Sequence, residues 1–188
     1  MENRPIIDEN GKEQWISRSI VVLCAVLRIT DDKRIEVLVE RRGPDVSATG
    51  MWCVPCGYLD YDETIKEGVI REVREETGYT IGKKDITFID INSKPEGTKQ
   101  NVVIRHIAFI DPNIRQEDGF TLDTGEVTEL KWVEIGKFVD DPVTMFLLDY
   151  SRIKGVGKWA FGHRGIIINI IDKYCRQNGI ELRIHNKD

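Results

Sequence analysis

Two hydrophobic periodicities run through the chain. Residues 17–30, SRSIVVLCAVLRIT, are a run rich in β-branched side chains, and residues 35–42, IEVLVERR, alternate apolar and polar. Both predict strands. The intervening DDKR predicts a turn, so the pair reads as a hairpin. GPDVSATG at 43–50 predicts a loop, and MWCVPCGY after it a short strand or strand end. At 64–77, TIKEGVIREVREET carries apolar residues at helical spacing and stops before Gly78, a residue suited to the left-handed position past a helix end. Further strands are predicted at 86–91, 102–110 and 127–135, with KPEGTKQN as a loop between the first two and a polar loop at 111–125. Residues 142–151 and 162–177 are expected to be helices. Strands, helix, strands, helices in that order imply an α/β protein whose sheet is covered by helices.

A length of 188 residues favours one domain. The expected division is a segment at 1–16 followed by a single domain at 17–188 that ends in a C-terminal helix. A chain of this size buries roughly 70% of its unfolded surface, so its core needs no metal or disulfide staple. A formal charge of -5 argues against a general nucleic-acid binder, and no stable nucleic-acid partner is expected. The first residues, MENRPIIDENGKEQ, are polar and acidic, unlike a secretory signal. The longest apolar run, 20–27, meets Arg28 and is too short to span a bilayer. A cytoplasmic protein with no membrane association is the expectation.

Trp52-Cys53-Val54-Pro55-Cys56 looks like a redox dithiol. Dithiol reductases launch a helix directly from the motif, whose N-terminus stabilises the thiolate. Here Gly57-Tyr58-Leu59-Asp60 follows, which is poor helix material, and no βαβ frame precedes it. A structural zinc site would want a second close pair of ligands. Cys24, Cys175, His106, His163 and His185 are all scattered singly.

The helix at 64–77 carries more chemistry. At about 100° per residue, Ile65, Val69 and Val73 form its apolar stripe. Glu72 and Glu76 fall on or beside that stripe, Glu75 lies on its flank, and Glu67 and Arg74 lie opposite. Like charges at i and i+4 repel by about 0.2–0.5 kcal/mol. Acids near a helix C-terminus cost about 0.3–1 kcal/mol each. Carboxylates turned inward also lose hydration. Arg71 reaches Glu75 at i+4, which leaves Glu72 and Glu76 without an evident partner. A hard divalent cation, Mg²⁺ or Mn²⁺, would answer all three costs. The alternative is a charged helix whose glutamates face water beyond the sheet edge.

From Gly57 the sequence reads G-YLDYD-E-TIKEGVI-REV-R-EE-T-GY, which resembles the Nudix box G-x5-E-x7-R-E-U-x-E-E-x-G-U, where U is a bulky apolar residue. Gly57, Glu63, Arg71, Glu72, Val73, Glu75, Glu76 and Gly78 fill its fixed positions; Tyr79 stands at the last U, and Cys56 replaces the glycine usual before Gly57. The resemblance implies an α/β/α sandwich with a mixed sheet and a loop-helix-loop box. It implies hydrolysis of a pyrophosphate bond in a nucleoside diphosphate linked to another group. It also implies Mg²⁺ or Mn²⁺ on Glu72, Glu75, Glu76 and the Gly57 carbonyl, with Glu63 and Arg71 orienting those carboxylates. The base would be a box acid, Glu75 or Glu76, or a late-loop acid, for which Glu126 and Glu129 are candidates. Arg41, Arg42, Arg105 and Arg18 are candidate phosphate clamps. Pro95, beyond the box, resembles enzymes acting on ADP-ribose. A small nucleotide is the expected partner, and family members often form homodimers. A nucleotide-sensing protein on the same scaffold is the alternative, though such proteins usually lose box acids, and all are present here.

Overall fold

The computed structural model describes residues 5–15, 17–95 and 100–185. Two short strands, β1 (Pro5–Ile7) and β2 (Glu13–Trp15), pair antiparallel as a small sheet of their own. The main sheet begins with β3 (Ile20–Ile29) and β4 (Arg34–Arg42), the predicted hairpin, followed by short strands β5 (Trp52–Cys53) and β6 (Cys56–Tyr58). Helix α1 (Ile65–Thr77) comes next, then β7 (Ile86–Asn92), β8 (Val102–Ile110) and β9 (Val127–Asp140). The chain continues through β10 (Thr144–Asp149), α2 (Tyr150–Lys154), a 3-10 turn at Ala160–Gly162, α3 (His163–Asn178) and β11 (Glu181–His185). Of the predicted loop KPEGTKQN, residues 96–99 lie outside the described residues.

The main sheet runs β11-β10-β9-β4-β3-β8-β7, with β5 on β4 and β6 on β3. It is mixed, because β3–β8 and β10–β11 are parallel and the other pairs antiparallel. Strand β3 explains its own unbroken apolar run. Val22, Cys24 and Val26 face a layer containing Val69 and Val73 of α1. Leu23, Ala25 and Leu27 face a second layer containing Ile167, Ile168, Ile170 and Ile171 of α3. With both faces covered there is no polar alternation to see. The result is the expected α/β/α sandwich. Among the described residues no helix is long and apolar enough to cross a membrane.

The end of the chain differs from expectation. Residues 142–151 were expected to be helical; 144–149 are instead strand β10, and only 150–154 turn into a helix. The reason is a period of two in a short segment: Phe146 and Leu148 are buried while Leu147 is exposed. Strand β9 on one side and β11 on the other supply its hydrogen bonds. Strand β9 also runs to Asp140, past the expected 127–135, because it must pair both β4 and β10. Strand β11 is a short exposed-edge strand that the sequence reading missed.

Candidate active site

Helix α1 is fixed at both ends by local sequence. The Thr64 side chain accepts the Glu67 amide while the Glu67 carboxylate receives the Thr64 amide, a reciprocal cap. At the other end Gly78 sits at φ 70° and returns its N–H to the Arg74 carbonyl. A side chain there would also collide with the Phe120 ring, 2.4 Å from the ideal Cβ. Val69 and Val73 anchor the helix to the sheet, and its C-terminal half brings the acids to β6 and β4.

Arg71 is the hub. Its Nε and Nη2 donate to the two oxygens of Glu63 at 3.0 and 2.7 Å, a bidentate pair. Nη1 donates to Glu72 at 2.7 Å and to Glu75 at 3.3 Å, and Nη2 also reaches the Tyr58 carbonyl at 2.9 Å. Glu72 therefore has the partner that helical spacing alone did not supply. Glu76 also has one, the Cys56 backbone N–H at 2.9 Å. Glu72 lies directly on Gly57: an ideal Cβ at position 57 would stand 2.2 Å from its Oε1. Only glycine lets the Gly57 backbone approach that carboxylate. Tyr79, the aromatic residue at the last apolar position, accepts the Trp132 indole N–H at 3.1 Å. An aliphatic side chain would leave that indole unserved.

Burial sets the electrostatics. The Glu63 carboxyl is held below its usual range by Arg71. Burial raises Glu72, against the pull of Arg71. Burial and the charges of Glu40 and Glu72 push Glu76 well up. Glu75 is the exposed member, with 58% of its side chain accessible. Among the described residues no three His, Cys, Asp or Glu side chains close around one point as they stand. Arg71 lies among Glu63, Glu72 and Glu75 and neutralises them in the way a cation would. The donor set is all oxygen, it is short of positive charge on its buried side, and Glu72 is seated against the Gly57 backbone. These features fit a hard divalent ion.

Two residues of this neighbourhood escaped the sequence reading. Glu40, on β4, is fully buried and its carboxyl is pushed up to about 7 by that burial. The signal was its alternation with Leu38, which faces the α1 layer. His163, at the start of α3, is 3% exposed, and its Nδ1 accepts the Val54 N–H at 3.2 Å, pinning the turn between β5 and β6. Nothing local in AFGHRG announces that contact; it spans more than a hundred residues.

The remaining candidates divide. Arg42 is close by: its Nε donates to the Ser47 carbonyl at 2.6 Å, its Nη1 points to Cys53 Sγ at 3.8 Å, and it lies over the Phe161 ring at 5.1 Å. Arg41 is exposed, donating to the Gly50 carbonyl and pairing with Glu129 at 3.6 Å. Glu126 is exposed just before β9, and its carbonyl accepts the Gly43 N–H at 2.6 Å. Arg105 is not brought to the box. It pairs in register with Leu23, whose side chain belongs to the α3 layer, and it forms an ion pair with Asp90. Arg18 is consumed in holding backbone carbonyls at Ser93, Lys94, Gln100 and Asn101. Pro95 is exposed in that loop.

The cysteines do not form a redox centre. All four are free. Cys53 and Cys56 lie in strands β5 and β6, with no helix starting at the motif. Burial raises both thiols, where a reductase needs a lowered one.

Comparison with known proteins places this geometry. The family model for the NUDIX domain matches residues 20–150. Among curated proteins, the ADP-ribose pyrophosphatase of Saccharomyces cerevisiae is 30% identical over 173 residues, covering 80% of this chain and 71% of that one. Nudix hydrolase 8 of Arabidopsis thaliana is 26% identical over 118 residues, 63% of this chain; the match spans only 31% of the Arabidopsis protein. Among solved structures, a MutT/nudix family protein from Enterococcus faecalis superposes with TM-score 0.64 at 21% identity, covering 87% of this chain and 64% of that one. The NUDIX domain of Shewanella oneidensis NrtR complexed with ADP ribose gives TM-score 0.60 at 16% identity, covering 89% and 93%. At these identities the two structures speak for the fold alone.

Proposed function

The chain belongs to the Nudix family, and from that premise we propose that it is a divalent-metal-dependent pyrophosphohydrolase. It cleaves within the diphosphate of a nucleoside diphosphate joined to a second group, with ADP-ribose as the first substrate to test. The observation that carries this reading is Glu72 seated on the Gly57 backbone, with Glu75 and Glu76 beside it and Arg71 spanning the carboxylates. The yeast relative's name supports the choice of ADP-ribose.

Glu72, Glu75, Glu76 and the Gly57 carbonyl would hold Mg²⁺ or Mn²⁺, which when bound neutralises diphosphate charge and acidifies a water. Glu63 fixes Arg71, and Arg71 in turn holds Glu72 and Glu75 in place. Glu75 is exposed and tied by one long contact, so it can swing to take the proton of the attacking water; Glu126 is the late-loop alternative. Arg42 and Arg41, at the end of β4, are the proposed phosphate clamps. The proposed partner is a small nucleotide.

The test is turnover of a panel of nucleoside diphosphate sugars, dinucleotides, nucleoside triphosphates and capped RNA with Mg²⁺ or Mn²⁺, with products identified to locate the cleaved bond. No turnover on any member, or turnover unchanged in Glu75→Gln and Glu76→Gln, refutes it. Tight ADP-ribose binding without cleavage would instead favour a nucleotide sensor.

A further inference from the structure

The cluster of box acids has a member that the box does not contain. Glu40 comes from the sheet, on β4, and is 0% exposed. Its Oε1 accepts the Cys53 thiol at 3.1 Å. Its Oε2 is buried and has no hydrogen-bond partner. Arg42 is the nearby cation, but its Nε donates to the Ser47 carbonyl and its Nη1 points to Cys53 Sγ rather than to Glu40. What Glu40 faces is Glu76, a carboxyl close enough to share a proton with it; the Glu40 charge opposes the ionisation of Glu76, and Glu72 is within electrostatic range of both.

A carboxylate in such a place is costly. A leucine or glutamine of similar volume would fill the same space without a buried, unserved oxygen. A thiol is a weak donor and covers only one of the two oxygens. The other oxygen is aimed at a region already crowded with acids. A proton shared with Glu76 answers part of that cost, and a divalent cation in the same place would answer it with both carboxylates ionised. Arg71 is not turned to it: its guanidinium goes to Glu63, Glu72, Glu75 and the Tyr58 carbonyl.

We propose that Glu40 is a ligand of the divalent cation held by the box, contributing Oε2 from the sheet and completing the site on its buried side. This rests on reading the box as a metal site. The hardness of carboxylate oxygen again selects Mg²⁺ or Mn²⁺. Cys53 is then a positioning residue, since its thiol fixes Oε1 and so turns Oε2 toward Glu76. The site is accordingly built from two elements, α1 and β4, whose relative position is set by Val69, Val73 and Leu38 in a shared apolar layer.

Mn²⁺ binding, followed by the electron paramagnetic resonance signal of free Mn²⁺, separates this from a structural role. In Glu40→Gln the affinity for Mn²⁺ should fall at least about ten-fold, as when a metal site loses a supporting group. The thermal midpoint of the metal-free variant should hold or rise, because a buried unserved oxygen has gone. An isotherm that superimposes on the wild type overturns the proposal, as does an affinity loss matched by an equal loss of metal-free stability. Should glutamine at 40 prevent folding, Glu40→Asp carries the test. It keeps the charge but withdraws it by one methylene, and unchanged Mn²⁺ affinity overturns the proposal. A wild-type protein that binds no Mn²⁺ and cleaves nothing sinks the metal reading itself. One that binds and cleaves, with Glu40→Gln unchanged, removes Glu40 alone.

Discussion

His163 offers a quantitative test of how the loop ahead of the box is held. Its Nδ1 must be unprotonated to accept the Val54 amide, and burial, followed by the Arg42 charge, lowers its pKa from 6.5 to about 4. A histidine lowered in the folded state stabilises fully above its unfolded pKa. That contribution is lost as pH falls from about 6.5 toward about 4, since the unfolded chain takes the proton first. Between pH 8 and pH 5 the unfolded imidazole gains nearly a whole proton and the folded one about a tenth, a loss of about 2 kcal/mol. Glu40 and Glu76 act in the opposite sense, because their folded pKa values are raised and falling pH favours the folded state. Wild-type stability alone therefore hides the effect. In His163→Asn the amide oxygen still accepts from Val54 but does not titrate. Urea unfolding of both proteins at pH 8 and pH 5 should show the stability gap between them shrink by about 2 kcal/mol on acidification. A gap that changes by less than about 0.5 kcal/mol would mean that the imidazole is not held neutral, and the pinning argument fails.

Gly57→Ala places a methyl 2.2 Å from Glu72 Oε1, so the carboxylate must leave its seat; turnover of the substrate found in the panel should fall at least about ten-fold with the circular dichroism spectrum retained. Arg71→Lys cannot span Glu63 and Glu72 together, and both turnover and thermal midpoint should drop, the latter by the equivalent of about 1–3 kcal/mol. Phe146→Ala, at a side chain 1% exposed on β10, should cost about 3–5 kcal/mol in urea unfolding; a cost under about 1 would contradict the strand assignment. Because burial raises Cys53 and Cys56, Ellman's reagent at pH 8 should label the native chain far more slowly than the urea-unfolded one, and insulin reduction should be absent.

Much of the fold was legible because its information is local. The run at 20–29, the alternation at 34–42 and the capped helix ending at Gly78 each announce themselves within a few residues. The same holds for Gly57, Glu63, Arg71, Glu72, Glu75 and Glu76, whose spacing alone marks a box. Strand β10 is not legible locally, because six residues cannot show whether Phe146 and Leu148 follow a strand or part of a helix; its neighbours β9 and β11 decide that. Arg105 was drawn into the site by its charge. Its register opposite Leu23 puts it in the other layer, and register is a property of the sheet.

The sequence by itself determined the family, the sandwich class and which acids share one helix, since periodicity and fixed spacing are properties of a single segment. It also weighed against Cys53 and Cys56 as a redox pair, because Gly57-Tyr58-Leu59-Asp60 is poor helix material. Only the tertiary structure decided what those acids meet. Arg71 turned out to serve Glu72 as well as Glu75, Glu76 received the Cys56 amide, His163 reached Val54, and Glu40 arrived from β4 with one oxygen unserved. Each of those contacts depends on direction and depth. Burial turns an ordinary glutamate into a costly one, and burial exists only after the layers have closed.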